Sequence, residues 1–176
     1  GSRSGVTRYD RDTGQIADVG PMASSDPDYR TVRTMPILFS PIDPHRLYFT
    51  SNTVWQSDDG GTNWKQISPD LTRNTWKVTA SVGPYRNSAA AKPTDPGVVY
   101  SLAPSPLNGD LIWAGTDDGM IWVTHDGGQH WSNVTPPQLQ PFWRVFSMEA
   151  SHFNPDEAYA AINTLFLNDM RPHLFR

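Results

Sequence analysis

One pattern occurs twice in this chain and restricts its fold more than any other feature. Val54-Trp55-Gln56-Ser57-Asp58-Asp59-Gly60-Gly61-Thr62-Asn63-Trp64 and Ile121-Trp122-Val123-Thr124-His125-Asp126-Gly127-Gly128-Gln129-His130-Trp131 share one reading, apolar-Trp-x-(Ser/Thr)-x-Asp-Gly-Gly-x-x-Trp. They lie 67 residues apart (126 − 59). Repetition at a fixed spacing marks architectures built from stacked copies of one small unit. A second element precedes each copy: an apolar strand end, an Asx turn at Asp43 or Asn108, then another apolar strand. It recurs at Asn154, so the turns are 65 and 46 residues apart (108 − 43 and 154 − 108). A basic period in the mid-forties, with about twenty residues inserted once, fits the four-stranded blades of a β-propeller.

Composition agrees with short strands and many turns. Sixteen prolines and thirteen glycines cut the chain into segments rich in Val, Ile, Trp, Tyr and Phe. No helix is expected beyond a turn near Ser88–Lys92. The reading is all-β, with residues 1–176 forming part of one propeller domain. Residues 1–20 give the outer hairpin of a preceding blade, with strands at Val6–Asp10 and Gln15–Val19. Residues 34–67 form a blade with strands at Thr34–Ser40, Leu47–Ser51, Val54–Ser57 and Trp64–Ile67. Residues 68–97 are a long insertion between the fourth strand of one blade and the first of the next. Residues 98–134 form a second blade, with strands at Val98–Ala103, Leu111–Ala114, Met120–Thr124 and Trp131–Val134. Residues 143–176 form an incomplete blade, with strands at Trp143–Ala150, Ala158–Ile162 and Leu174–Arg176. An open arc of about three blades leaves apolar faces and strand edges uncovered. Closure is therefore expected from the rest of a longer parent propeller or from further copies.

The repeated turn has a physical reading. The Asp59 and Asp126 carboxylates accept backbone N–H groups inside the turn, and Ser57 and Thr124 add hydroxyls to the same network. Gly61 and Gly128 supply the left-handed backbone, while Trp64 and Trp131 cover the loop and the seam between blades. His125 and His130 flank the second turn in one surface loop with no third ligand, so they read as solvated. No metal or cofactor is expected.

At these residues the chain resembles the bacterial sortilin-like, BNR/Asp-box repeat proteins. Further segments similar to that family are Arg8-Tyr9-Asp10-Arg11-Asp12-Thr13-Gly14, Ile67-Ser68-Pro69-Asp70-Leu71-Thr72-Arg73-Asn74, Trp113-Ala114-Gly115-Thr116-Asp117-Asp118-Gly119 and Arg171-Pro172-His173-Leu174. The resemblance implies a large secreted or periplasmic bacterial protein carrying one or two propellers. In eukaryotic sortilins a ten-bladed ring acts as a peptide and protein receptor. The cysteine-rich module of those receptors has no counterpart here, because the chain has no cysteine. A third Asp-box is expected just past Arg176.

Charge excludes some partners. The net charge is −4, from 14 basic and 18 acidic residues, with no basic run to capture nucleic acid. The apolar runs fall far short of the roughly 20 residues that span a bilayer, so no direct membrane insertion is expected. Candidate ligand contacts come from the long insertion, with Arg73, Trp76, Lys77, Tyr85 and Arg86 suited to stacking and ion pairing. The same insertion also reads as a packing flap. Trp143 and Arg144 open a first strand and line a ligand channel or belong to a seam. Asp117 and Asp118 close a hairpin, or else form a carboxylate pair for glycoside hydrolysis. Two functions follow. One is a non-catalytic module or assembly scaffold binding a protein or peptide. The other is a sialidase-like or xyloglucanase-like hydrolase whose catalytic residues lie partly outside this sequence.

Overall fold

The computed structural model describes residues 5–21, 27–74, 83–84, 87 and 97–176. Its strands form one two-stranded, two four-stranded and one three-stranded sheet, all antiparallel with sequence neighbours side by side. Strands β1 (Thr7–Tyr9) and β2 (Ile16–Asp18) make the first hairpin. The next sheet contains β3 (Ile37–Phe39), β4 (Leu47–Thr50), β5 (Val54–Ser57) and β6 (Lys65–Gln66). It is followed by β7 (Val99–Pro104), β8 (Ile112–Thr116), β9 (Ile121–Thr124) and β10 (Ser132–Asn133). The last sheet holds β11 (Arg144–Ala150), β12 (Ala158–Asn163) and β13 (His173–Phe175). A strand stands wherever the sequence predicts one, though β1, β2, β3, β6 and β10 are each shorter than expected by two residues or more. A 3-10 turn at Leu165–Leu167 was not anticipated. The turn expected near Ser88–Lys92 lies outside the described residues. Among those residues no helix is long and apolar enough to cross a membrane.

The turns between first and second strands repeat the same chemistry three times. Asp43, Asn108 and Asn154 each accept the N–H two residues on, from His45, Asp110 and Asp156, all at 3.0 Å. Ser40, Ser105 and Ser151 accept from Ile42, Leu107 and Phe153 at 3.1–3.2 Å. These side chains take over backbone donors that the ladder leaves unpaired at a strand end.

The sheets pack face to face. Tyr48, Val54 and Ile67 of one four-stranded sheet meet Val99, Leu102, Ile112 and Ala114 of the other in one apolar cluster. A second cluster joins Ala103 and Ile121 to Val145, Met148, Ala150, Ala160 and Ile162 of the three-stranded sheet. Hydrogen bonds to the first strand of the following sheet stitch both seams. Thr50 Oγ1 donates to the Val99 carbonyl at 2.8 Å, and Val99 N–H donates to the Ser51 carbonyl at 2.8 Å. At the next seam Ser101 Oγ donates to the Val145 carbonyl at 3.1 Å. Here the second strand carries Gly115 where the preceding sheet has Thr50. A Cβ on Gly115 would lie 2.3 Å from Val145 Cγ1, so the seam closes only because that position has no side chain.

Candidate functional site

The sheets present two ends with different chemistry. At one end are the repeated Asp-Gly-Gly turns. Ser57 Oγ donates to Asp59 Oδ1 at 2.9 Å and accepts the Gly61 N–H at 2.8 Å. Asp59 Oδ1 also accepts the Asn63 N–H at 2.8 Å, and Oδ2 accepts the Asn63 side-chain amide at 2.7 Å. The second turn copies this bond for bond: Thr124 Oγ1 to Asp126 at 2.8 Å, Gly128 N–H to Thr124 at 2.9 Å, His130 N–H to Asp126 at 2.9 Å. The His130 ring takes the place of the Asn63 amide, with Nδ1 2.6 Å from Asp126 Oδ2. The Asn63 backbone N–H, then its side chain, holds Asp59 below the ordinary carboxylate range; the His130 backbone N–H does the same, more strongly, for Asp126. The indole N–H of Trp64 reaches back to the Val19 carbonyl at 2.6 Å, and that of Trp131 to the Ile67 carbonyl at 2.8 Å. Among the described residues no cluster of three or more His, Asp or Glu is placed to hold a metal ion.

At the other end, the segments entering the two four-stranded sheets lie over the turn between their second and third strands. Two arginines organise this face. Arg73 donates its backbone N–H to Asp118 Oδ2 at 2.7 Å, its Nε to the Asp118 carbonyl at 2.9 Å and its terminal nitrogen to the Gly119 carbonyl at 3.1 Å. Arg30 stands at the matching place one sheet earlier. Its N–H donates to Asn52 Oδ1 at 3.0 Å, and its guanidinium bonds Asp70 and reaches Thr72 Oγ1 at 2.9 Å. Arg30 escaped the sequence reading, although its spacing of 43 residues from Arg73 (73 − 30) matches the repeat. Beside it a cavity of about 330 Å³ is lined by Tyr29, Arg30, Asn52, Trp55, Gln66 and Asp70. Burial pushes the Tyr29 hydroxyl up to about 12. Burial also raises Asp70, but hydrogen bonds from Thr72, Arg30 and Asn52 outweigh it and hold this carboxyl below its ordinary value.

Asp117 and Asp118 are adjacent in the chain but each has its own structural partner. Asp117 Oδ1 accepts the Val98 N–H at 2.8 Å. Asp118 is fully buried, with one oxygen on the Thr116 hydroxyl and the other on the Arg73 N–H. Burial raises both carboxyls above the ordinary range, against the lowering effect of Val98 on Asp117 and of Arg73 and Thr116 on Asp118. Gly97 is pressed against this pair, since a Cβ there would fall 2.1 Å from Asp117 Oδ1.

The remaining candidates divide. The Arg144 guanidinium lies 4.6 Å over the Tyr100 ring, which in turn meets Phe146 at 6.0 Å between centroids. This row runs between the first strands of neighbouring sheets, and Phe146 is half exposed. A shift in β11 pairing between Val145 and Ser147 turns Phe146 and Ser147 outward together. Trp143 packs on the His173 ring with centroids 4.7 Å apart. Trp76, Lys77, Tyr85 and Arg86 lie outside the described residues.

No family model and no curated protein matches this chain. Solved structures do. A GH74 enzyme from Niastella koreensis superposes over 92% of this chain and 25% of its own, with TM-score 0.51 and 11% identity. An ancestral GH74 enzyme covers 84% of this chain and 17% of its own, with TM-score 0.48 and 18% identity. YCF48 from Cyanidioschyzon merolae covers 76% and 38%, with TM-score 0.44 and 19% identity. The chain thus spans well under half the length of each. The class of protein is plain: all-β, its four-stranded sheets the blades of a β-propeller.

Proposed function

We propose that this chain is a non-catalytic part of a propeller that binds a protein or peptide, within a secreted or periplasmic bacterial protein of the sortilin-like, BNR/Asp-box kind. The observation that carries the reading is how Asp117 and Asp118 are used. A glycosidase needs one carboxyl to protonate the leaving oxygen and a second facing the sugar, about 5–10 Å away. Here the Asp118 side chain is enclosed and hydrogen-bonded through both oxygens, and Asp117 holds the Val98 N–H. Those contacts suit a braced hairpin turn. The contact surface that fits a peptide is the row Arg144, Tyr100 and Phe146, which combines a cation, a phenol and an exposed ring on rigid inner strands.

Two measurements test this. A screen against xyloglucan and sialylated glycans should give no turnover, whereas turnover lost on Asp117→Asn would establish the hydrolase reading instead. A peptide selected against the chain by display should weaken at least about tenfold on Tyr100→Ala or Arg144→Ala, as removal of a hot-spot contact does. Selected peptides that ignore both substitutions would refute this assignment of the surface.

A further inference from the structure

The third strand of each four-stranded sheet carries a tryptophan in the same slot of the repeat, and the two indoles are used differently. Trp122 packs on the apolar cluster between the sheets and donates its N–H to the carbonyl of the fully buried Leu71 at 2.7 Å. Trp55 donates instead to Ser51 Oγ of its own hairpin turn at 3.1 Å. Asp28, 43 residues before Leu71 (71 − 28), stands exposed where Leu71 is buried. With no apolar plug over Trp55, this place holds the polar cavity of about 330 Å³ beside Arg30. Its walls belong to one complete blade and to the segments that enter and leave it.

The lining has spent its donors and kept acceptors. The Arg30 guanidinium is bonded through all three nitrogens, to the Gly97 and Asp28 carbonyls at 3.4 and 3.2 Å and to Asp70 and Thr72. Asn52 Nδ2 donates to Asp70 at 3.0 Å. Gln66 Nε2 donates to the Ser68 carbonyl at 2.8 Å, which leaves Oε1 as the unspent end of that amide. The Tyr29 hydroxyl is buried with no partner among the described residues. Charge points the same way, since Asp28 and Asp70 stand against the single positive charge of Arg30. Asp70 keeps its charge at neutral pH, its carboxyl being held below the ordinary value. The Tyr29 and Trp55 rings, with centroids 6.2 Å apart and planes at 72°, form two walls of a corner. Aromatic walls attract a cation through the ring quadrupole.

We infer that this cavity takes a primary alkylammonium group, the chemistry of a lysine side chain. The methylene stem lies against the two rings, and the ammonium N–H groups serve Gln66 Oε1 and the Tyr29 hydroxyl in the field of the two carboxylates. An anion gains little there, because Arg30 is already met by Asp70. A cation without N–H groups would leave the acceptors unpaired. The net charge of −4 adds a general attraction for a basic ligand. This site shares no residue with the Arg144–Tyr100–Phe146 row, and a free amine tests it whether or not that row takes a peptide.

Two probes separate a lysine presented by a partner chain from a free amine: the end-blocked peptide Gly-Ser-Lys-Ser-Gly and n-pentylamine. Each is titrated into the isotope-labelled chain while the Trp55 indole N–H resonance is followed by NMR. The resonance should shift and saturate. Saturation by the peptide alone assigns the site to a partner-borne lysine, and saturation by both probes admits free amines. Norleucine in place of the lysine keeps the stem and removes the charge, and should weaken binding at least about tenfold. Gln66→Lys, on an exposed edge strand, supplies a competing ammonium and should weaken binding by a similar factor while circular dichroism stays unchanged. Should Gln66→Lys fail to fold, the lysine and norleucine peptides on the unmodified chain decide. No saturable shift with either probe, equal affinity of the two peptides, or unchanged binding to a folded Gln66→Lys chain would overturn the inference.

Discussion

The two seams of this molecule are built from the same parts and finished differently. Between the four-stranded sheets, Trp131 packs against the cluster that contains Leu102 and Ile112; between the second and third, Met148 and Ala158 face a hollow of about 350 Å³. The walls match by position but not in size: Ala158 stands where the first seam has the buried Ile112, so the smaller side chain contributes to the hollow. Strand pairing alone brings the sheets together, and both seams have it. Dense packing in the outer half of a seam comes from a side chain that arrives with the Asp-Gly-Gly turn. The turn therefore acts on the neighbouring sheet as well as on its own hairpin.

The sharpest way to break the contrast is to make the first seam resemble the second. Trp131→Ala removes the ring and its bond to Ile67, and should cost about 3 kcal/mol or more, as large-to-small changes of aromatic residues do. Urea unfolding monitored by circular dichroism measures it. A loss below about 1 kcal/mol would mean that the seam holds without its indole.

A paired substitution sharpens the comparison further. Leu102 and Met148 occupy equivalent positions and are buried to the same degree, each 7% exposed. Leu102 sits in the cluster that Trp131 covers, while Met148 borders the hollow. A side chain beside a void has fewer atoms to lose contact with. Leu102→Ala should therefore cost more than Met148→Ala, by about 1–2 kcal/mol within the usual range for such changes. Equal losses would show that the hollow is collapsed in solution.

The loop ends of the seams also differ, and pH separates them. Asp118, enclosed over the first seam, is raised by burial; Asp169, beside the last sheet, is held well below the ordinary range chiefly by the Arg171 side chain. With Asp118 the folded state binds more protons than the unfolded one. Its contribution to stability must therefore fall as pH climbs from the ordinary carboxylate range toward its raised value. Asp169 does the reverse: its contribution is present above the ordinary range and is lost as pH drops through it. Asp118→Asn should cost about 1–3 kcal/mol at neutral pH by spoiling the acceptor for the Arg73 N–H. Relative to each Asn variant, native stability should slope downward with pH for Asp118 and upward for Asp169. Thermal unfolding between pH 3 and 7 reads both slopes, and parallel slopes would contradict the assignment.

What the sequence disclosed depended on how far apart the partners lie in the chain. The Asp59 network closes within a few residues, from Ser57 to Asn63, so spacing alone exposed it. Arg73 and Asp118 meet across a sequence separation of 45, and nothing local to either announces the other. Asp117 and Asp118 were for that reason open to both a structural and a catalytic reading until their partners Val98 and Arg73 were placed. Trp55 and Trp122 show the limit of motif identity. Occupying the same slot of the repeat, they bond different acceptors, Ser51 Oγ at 3.1 Å and the Leu71 carbonyl at 2.7 Å. The acceptor depends on the segment that enters from the preceding sheet, where Leu71 is buried and Asp28 is exposed.

The smallest expected effect concerns the hydroxyls that stitch the inner strands. At the first seam the donor is Thr50, on the second strand; at the next it is Ser101, on the first strand, because Gly115 has replaced the threonine. The same contact is thus kept while its source moves. If it is kept for the bond itself, Ser101→Ala should cost about 1 kcal/mol, the usual net value of one hydrogen bond, and Thr50→Val a comparable amount. Thr50 also fills the space that Gly115 leaves to Val145, so valine, which preserves that volume, is the fair replacement. Native-state hydrogen exchange at Val99 and Val145 locates the loss, since each substitution should speed exchange at its own seam. Equal acceleration at both sites would mean that the two seams open as one unit, and that neither hydroxyl acts locally.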